Sequence, residues 1–364
     1  MADILRISNG SHRRRLRCYA VLQGGLFHAL HVVLHGNFMH VRSIDGLRGI
    51  AVLGVLAYHV SGGALRDGAR GVDLFFVISG FCLGLHALER RFNLVRFARA
   101  RAWRILPPYY AAILLGIVLA VGDGRITIVH ALSEGLRNAF FMSEWGASPT
   151  INSNFWTILI EARWYVYFPL VLWIYTRSKW TFASILVACA FGDIVSAPWM
   201  DREVLPAFML GIVASDLVLR KMPIPFPAQC AAGTLLIALL CDARGPNSIY
   251  IDHGNFLWQM ALFLVVIAGI RSWGVILDFT PLAFLGRISY SVYLAQETAL
   301  EMLSPYNLAP SLLVPLILLW SFAFYRAFER PFLMRKTSYV KTSIDPTPKS
   351  PISTIFSPQE GPAS

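Results

Sequence analysis

The stretch SIDGLRGIAVLGVLAYHV, residues 43–60, decides how the rest of the chain is read. It is apolar enough for a membrane helix, yet it carries Arg48 and His59, with ten residues between them. On an α-helix the step from 48 to 59 advances about 16 Å. It also turns about three full circles, so both side chains point the same way. An ionisable group inside an apolar span costs on the order of 3 kcal/mol or more and marks a functional candidate.

The composition agrees with a membrane protein. Of 364 residues, 56% are hydrophobic and only 15% are charged, and the mean hydropathy is +0.55. A soluble domain carries about a quarter charged residues. The apolar content runs in blocks of about 15–22 residues, the length a bilayer requires. The fold class is therefore all-α, a polytopic membrane protein with about ten transmembrane helices in a single domain. Barrel strands would alternate apolar and polar with a period of two, and these blocks do not. The net charge of +11 is explained by loops, given below, and implies no nucleic-acid partner. The five cysteines form no CxxC pair, so neither a disulfide framework nor a zinc site is indicated.

Residues 1–40 read as a poorly ordered basic leader or a start-site extension, with Arg13, Arg14, Arg15 and Arg17 and then Met39 just before the first block. No cleavage site follows a proper apolar core, so a secretory signal is not indicated. His28, His31 and His35 have helical spacing but no wider ligand set, and no metal site is assigned. The membrane domain covers 41–332, with spans at roughly 44–62, 71–88, 105–121, 155–176, 180–196, 204–220, 226–241, 255–270, 280–302 and 309–328. The tail 333–364, rich in Ser, Thr and Pro, cannot bury a core and reads as disordered.

Every second loop is basic. Arg90, Arg91, Arg96, Arg99, Arg101 and Arg104 precede span three. Arg177 and Lys179, Arg220 and Lys221, Arg271, and then Arg330, Arg335 and Lys336 follow. The intervening loops hold fewer and more scattered positive charges. The positive-inside rule then places both termini in the cytoplasm. The long outer loop near 122–154 is expected to hold an interfacial amphipathic helix at about 126–142.

With that orientation Arg48 lies near the cytoplasmic face and His59 in the outer half. Asp73, near the outer end of span two, and Glu161, about two turns into span four, are expected in the layer of His59. A histidine titrates near neutrality and can take a proton from an attacking hydroxyl. A carboxylate beside it, Asp73 or Glu161, would orient it and stabilise the imidazolium. Plainer readings stand beside these. His59 could be satisfied by a neighbouring helix, Asp73 could favour a helix dipole, Glu161 could pair with Arg163 or with another span, and Arg48 could snorkel. The arginines of 96–104 enforce topology, and their guanidinium forks also suit the phosphates of a nucleotide-like donor.

Seven blocks then resemble the acyltransferase-3 family of integral membrane acyltransferases. They are IDGLRGIAVLGVLAYH (44–59), GVDLFFVISGF (71–81), RARAWRILPPYY (99–110), FWTILIEARWYVYFP (155–169), LPAFMLGIV (205–213), LGRISYSVYLAQ (285–296) and FERPF (328–332). They stand in the family's order. The resemblance implies a ten-helix domain of the bacterial inner membrane that transfers an acyl group, usually acetyl, from acyl-CoA as co-substrate. The acceptor is a hydroxyl of a lipid-linked or exported glycan such as O-antigen, exopolysaccharide, capsule or Nod factor. No resident cofactor is implied; membrane lipids and polysaccharide-assembly proteins are the further partners. It assigns catalysis to His59 and a donor-site role to Arg48, carried by the arginine–ten residues–histidine hallmark. The second hallmark falls on Val72, Asp73, Phe75, Phe76, Val77, Ser79 and Gly80.

On this reading Arg48, with Arg101 and Arg104, holds the donor's phosphates. His59 is the general base, oriented by Asp73 or Glu161. Tyr290, Tyr293 or Gln296 hydrogen-bonds the acceptor or the oxyanion. Direct transfer and an acyl-histidine intermediate both remain open. Many relatives have histidine where this chain has Gln296, so no proton-relay role carries over there. Many also have a further C-terminal periplasmic domain, and this chain is expected to be the short form. The competing classes are a glycan flippase or transporter and a non-catalytic assembly scaffold.

Overall fold

The computed structural model describes residues 42–89, 92–142, 151–191, 204–242 and 254–333, and no strand occurs among the described residues. The leader with His28, His31 and His35 lies outside the described residues. So do Arg90, Arg91, Arg202, Arg244 and the tail beyond Leu333.

The helices are α1 (Arg42–Val60), a 3-10 turn (Arg66–Arg70), α2 (Gly71–Glu89), α3 (Leu94–Gly122), α4 (Ile128–Ala139), α5 (Phe155–Arg177) and α6 (Lys179–Phe191). There follow α7 (Leu205–Leu219), α8 (Pro227–Asp242), α9 (Gly254–Arg271), α10 (Gly274–Leu277), α11 (Thr280–Arg287), α12 (Ser289–Leu303) and α13 (Pro310–Phe324), which continues into a π-helical turn (Tyr325–Glu329). Five segments are long and apolar enough to cross a membrane: Arg42–Val60, Arg66–Glu89, Leu94–Gly122, Phe155–Arg177 and Pro310–Leu333. Helices α6 to α9 supply four shorter apolar segments of 10–17 residues.

Three elements differ from the sequence reading. The segment 280–302, expected as one span, is α11 and α12 with a break at Ile288 (φ −93°, ψ 4°). The break lets α11 lie backbone to backbone against the start of α1: a Cβ on Gly286 would collide with the Asp45 carbonyl, and one on Gly49 with that of Leu282. Gly286→Ala is therefore expected to push α1 and α11 apart. Overpacking of this kind costs about 1–3 kcal/mol, to be read as a lower Tm of the purified protein.

Second, the basic stretch before span three is helical. Helix α3 runs 29 residues straight through Pro107 and Pro108. Its start is capped by Asn93, whose Oδ1 accepts from the Arg96 amide at 2.8 Å. The prolines remove two intrahelical bonds, and the Tyr290 hydroxyl ties the same turn to α12 by donating to the Ile105 carbonyl at 3.1 Å. The arginines that looked like a loop are thus carried on a helix.

Third, α4 occupies the expected amphipathic segment but folds back along α3 rather than across its end. The Tyr109 hydroxyl donates to the Asn138 carbonyl at 3.1 Å, and Gly135 packs on Ile117 and Ile113. Its apolar residues Val129, Leu132, Leu136 and Phe140 face outward. Glu134 Oε1 accepts from the Ile151 amide at 3.2 Å and so fixes the approach to α5.

The core that holds the site is the crossing of α2, α5 and α7. Gly80 and Gly211 bring the backbones of α2 and α7 together, and Trp164 stacks on Phe208 at 4.4 Å. Where α5 ends and α6 begins, Asp216 binds the Tyr175 hydroxyl (2.6 Å), Arg220 Nε (2.8 Å) and Lys179 Nζ (3.4 Å). Arg271 donates to the carbonyls of Met222 and Leu217 there. At the other end Arg125 clamps α3 to α12 through both oxygens of Glu301, at 2.7 and 2.8 Å.

Candidate active site

Helices α1 and α12 run side by side in the same direction. Arg48 Nε donates to Ser289 Oγ at 3.3 Å. Val52 clusters with Ile288 and Val292, and Leu56 with Ala299. Arg48 and His59 therefore mark two poles of one seam, about 16 Å apart along the axis.

The arginine pole is built by four elements. Arg101 and Arg104, three residues apart on α3, turn inward, whereas Arg96 and Arg99 are exposed. Arg101 lies over Phe97 at 5.8 Å and Tyr165 at 5.7 Å. Arg48 and Arg104 interact electrostatically with each other and with Glu161. Arg104 also interacts with Glu329 in the π-helical turn. Glu161 accepts hydrogen bonds from the Tyr165 hydroxyl and, at 3.4 Å, from Ser79 Oγ. Glu329 accepts from Ser291 Oγ and is fully buried. Among the described residues Arg101 Nε is buried with no hydrogen-bond partner, while Arg48 Nε is taken by Ser289. Such forks are suited to phosphate.

At the histidine pole Asn154 is the side chain that interacts with His59. Asn154 Nδ2 donates to the Tyr293 carbonyl at 3.4 Å. That leaves Oδ1 to accept from an imidazole N–H, so the other ring nitrogen is free to take a proton. The residue is braced further. Its backbone amide donates to Glu297 Oε2 (3.1 Å) and Asn152 Oδ1 (2.9 Å), and its carbonyl accepts from Thr157 Oγ1 (3.0 Å).

Neither carboxylate expected beside His59 is there. Glu161 belongs to the arginine pole: seven residues beyond Asn154, it lies about 10 Å deeper along α5. Asp73 pairs with Arg70 Nη1 at 3.4 Å. Arg70 in turn donates to Asn255 Oδ1 at 2.6 Å and lies 5.2 Å over the Trp258 ring. The cause is the 3-10 turn, which folds back down α1 so that Gly71 meets Ala51 and Val55. Helix α2 therefore begins about two turns below His59, and Arg70 is buried.

The aromatic candidates are already engaged. The Tyr290 hydroxyl is used on Ile105, and the Tyr293 hydroxyl shares a hydrogen bond of 2.8 Å with Thr157 Oγ1. Gln296 is buried with neither amide atom partnered. Asn154, Glu297 and Glu329 were not singled out from sequence. Glu329 had a signal, a carboxylate at the edge of an apolar span; Asn154 looked like an ordinary residue before a helix.

A family model described as an acyltransferase domain, Acyl_transf_3, matches residues 41–326. The chain belongs to the acyltransferase-3 family. The peptidoglycan O-acetyltransferase OatA of Listeria monocytogenes is 25% identical over 317 residues, 73% of this chain and 50% of the relative. The putative peptidoglycan O-acetyltransferase YrhL of Bacillus subtilis is 26% identical over 316 residues, 73% of this chain and 49% of the relative. The O-acetyltransferase OatA of Staphylococcus aureus is 23% identical over 299 residues, 70% of this chain and 50% of the relative. The chain spans about half the length of the curated relatives it matches. No solved structure matches it.

Proposed function

We propose that this chain is a membrane O-acyltransferase that moves an acetyl group from acetyl-CoA to a hydroxyl of a cell-surface carbohydrate. The carrying observation is the two-pole seam, with the guanidinium groups of Arg48 and Arg104 gathered at one end and, about 16 Å away, His59 beside Asn154. That span suits an extended donor arm and is too long for the two residues to touch.

In this scheme Arg48, Arg101 and Arg104 hold the donor's phosphates, and Glu161 and Glu329 hold the arginines. The arm runs along the α1–α12 seam and brings the thioester to His59. His59 takes the hydroxyl proton, and the oxygen attacks the thioester carbon. The carbon–sulfur bond breaks, and the departing thiolate takes the proton from the imidazolium. Asn154 replaces the expected carboxylate as the residue that positions His59. Acyl-CoA is consumed as a co-substrate, and no resident cofactor is needed.

The orientation expected from loop charge is part of the proposal, with the arginine pole facing the cytoplasm of a bacterial inner membrane. It is supported by the gathering of Lys179, Arg220 and Arg271 at the end of the bundle towards which α5 runs past Glu161. The names of the relatives make peptidoglycan the first acceptor to test, ahead of exopolysaccharide or lipopolysaccharide.

Membranes containing the protein, given labelled acetyl-CoA and host glycan, are expected to transfer label to glycan oxygen. Transfer that needs no added protein would contradict the proposal. Glycan export that fails when the protein is removed would point instead to a transporter. Asn154→Ala removes one hydrogen bond to a group that is charged at the transition state. Such a bond is worth about 1.5–3 kcal/mol, or roughly a 10- to 100-fold fall in kcat, with the acetyl-CoA KM little changed. A rise in KM with kcat intact would remove Asn154 from this role.

A further inference from the structure

On α12 the residues Ser289, Val292, Gln296 and Ala299 are spaced three, four and three apart, which lines one side of a helix. Three of them meet α1: Ser289 at Arg48, Val292 in the cluster with Val52, and Ala299 in the cluster with Leu56. Gln296 lies between them on the same side and therefore faces α1 as well. It is seven residues past Ser289, about 10 Å along the seam, and so about 6 Å short of the level of His59. The α1 residues it faces, Val52, Val55 and Leu56, are apolar and buried.

Gln296 is itself fully buried, and neither Oε1 nor Nε2 has a hydrogen-bond partner. A carboxamide in that state destabilises the protein, because its lost hydration is not replaced. Methionine would fill the same space without that cost. The unsatisfied group sits on the seam between the two poles. What it lacks is a partner offering an N–H donor and a carbonyl acceptor among otherwise apolar neighbours.

We propose that Gln296 is the polar contact for the donor arm, with Oε1 accepting from the N–H of the amide nearest the thioester and Nε2 donating to a carbonyl of the donor. This rests on the acyl-CoA reading above. In an acyl-CoA that amide nitrogen is four bonds from the thioester carbon, roughly 5 Å at ordinary bond lengths. The spacing matches the interval between Gln296 and His59. The contact sets the depth at which the arm stops and so places the thioester beside the imidazole.

The test uses the full chain purified in nanodiscs, wild type against Gln296→Met. Three readouts are taken: the ligand-free Tm, the Kd for CoA, and the KM for acetyl-CoA. The KM is also measured for an analogue whose amide nearest sulfur is an ester and so lacks the N–H. The variant is expected to melt higher without ligand, because a buried unsatisfied group is gone. It is expected to bind CoA about tenfold more weakly, which is the scale of one hydrogen bond. The ester analogue should be about tenfold worse than acetyl-CoA for the wild type and no worse for the variant. A lower ligand-free Tm or loss of folded protein would show that Gln296 has a structural partner and overturn the proposal. An unchanged preference for amide over ester would overturn it equally, with the acyl-CoA reading intact. A wild type that neither binds CoA nor transfers acetyl overturns the acyl-CoA reading itself.

Discussion

His59→Ala is expected to lower acetyl transfer about a thousandfold, within the range for loss of a positioned general base, with CoA binding and Tm nearly unchanged. The side chain is only part-buried and packs edge-on against the neighbouring Tyr58 ring at 5.2 Å. Little packing is lost with it, and Asn154 keeps its bonds to Tyr293, Glu297 and Asn152. Steady-state transfer by the purified protein checks this. A variant retaining a tenth of the wild-type rate would remove His59 from the chemistry.

Asp73→Ala gives the second large effect, and on a different quantity. Asp73 and Arg70 are both buried, and removing the carboxylate takes from Arg70 the charge it pairs with at 3.4 Å, while its contacts with Asn255 and the Trp258 ring stay. Breaking a buried ion pair by deleting one partner costs about 3–5 kcal/mol. The variant is expected to fold poorly and to melt far lower, while whatever folds keeps its activity within a few-fold. The pair Arg70→Met with Asp73→Leu should recover much of the lost stability, since replacing both charges by apolar groups is often neutral. A well-folded but inactive Asp73→Ala would put the carboxylate back in the chemistry.

The helices were legible because apolar blocks of bilayer length are a strong signal, and the Arg48–His59 face was legible because helical periodicity fixes it. What failed was depth. The layer of His59, Asp73 and Glu161 assumed that each loop simply crosses from one span to the next. The turn at Arg66–Arg70 folds back along α1 instead, so Asp73 starts too low and Arg70 is inside. The same limit hid the start of α3, where arginines beside two prolines read as a loop but form a helix. Asn154 escaped because its role depends on where Tyr293 and Glu297 arrive from α12, more than a hundred residues later. Gln296 was noticed as a departure from the relatives, yet only the packing of α12 on α1 shows that it faces the seam.

The central claim is that donor binding and proton transfer occupy separate ends of one seam. The most direct measurement is the affinity of CoA for wild type, Arg48→Ala and His59→Ala, by calorimetry on the purified protein. Arg48→Ala is expected to weaken binding at least about tenfold, the loss of one charged hydrogen-bonding group. His59→Ala should bind as the wild type does while failing to transfer. Equal losses in the two variants, or none in Arg48→Ala, would contradict the two-pole account.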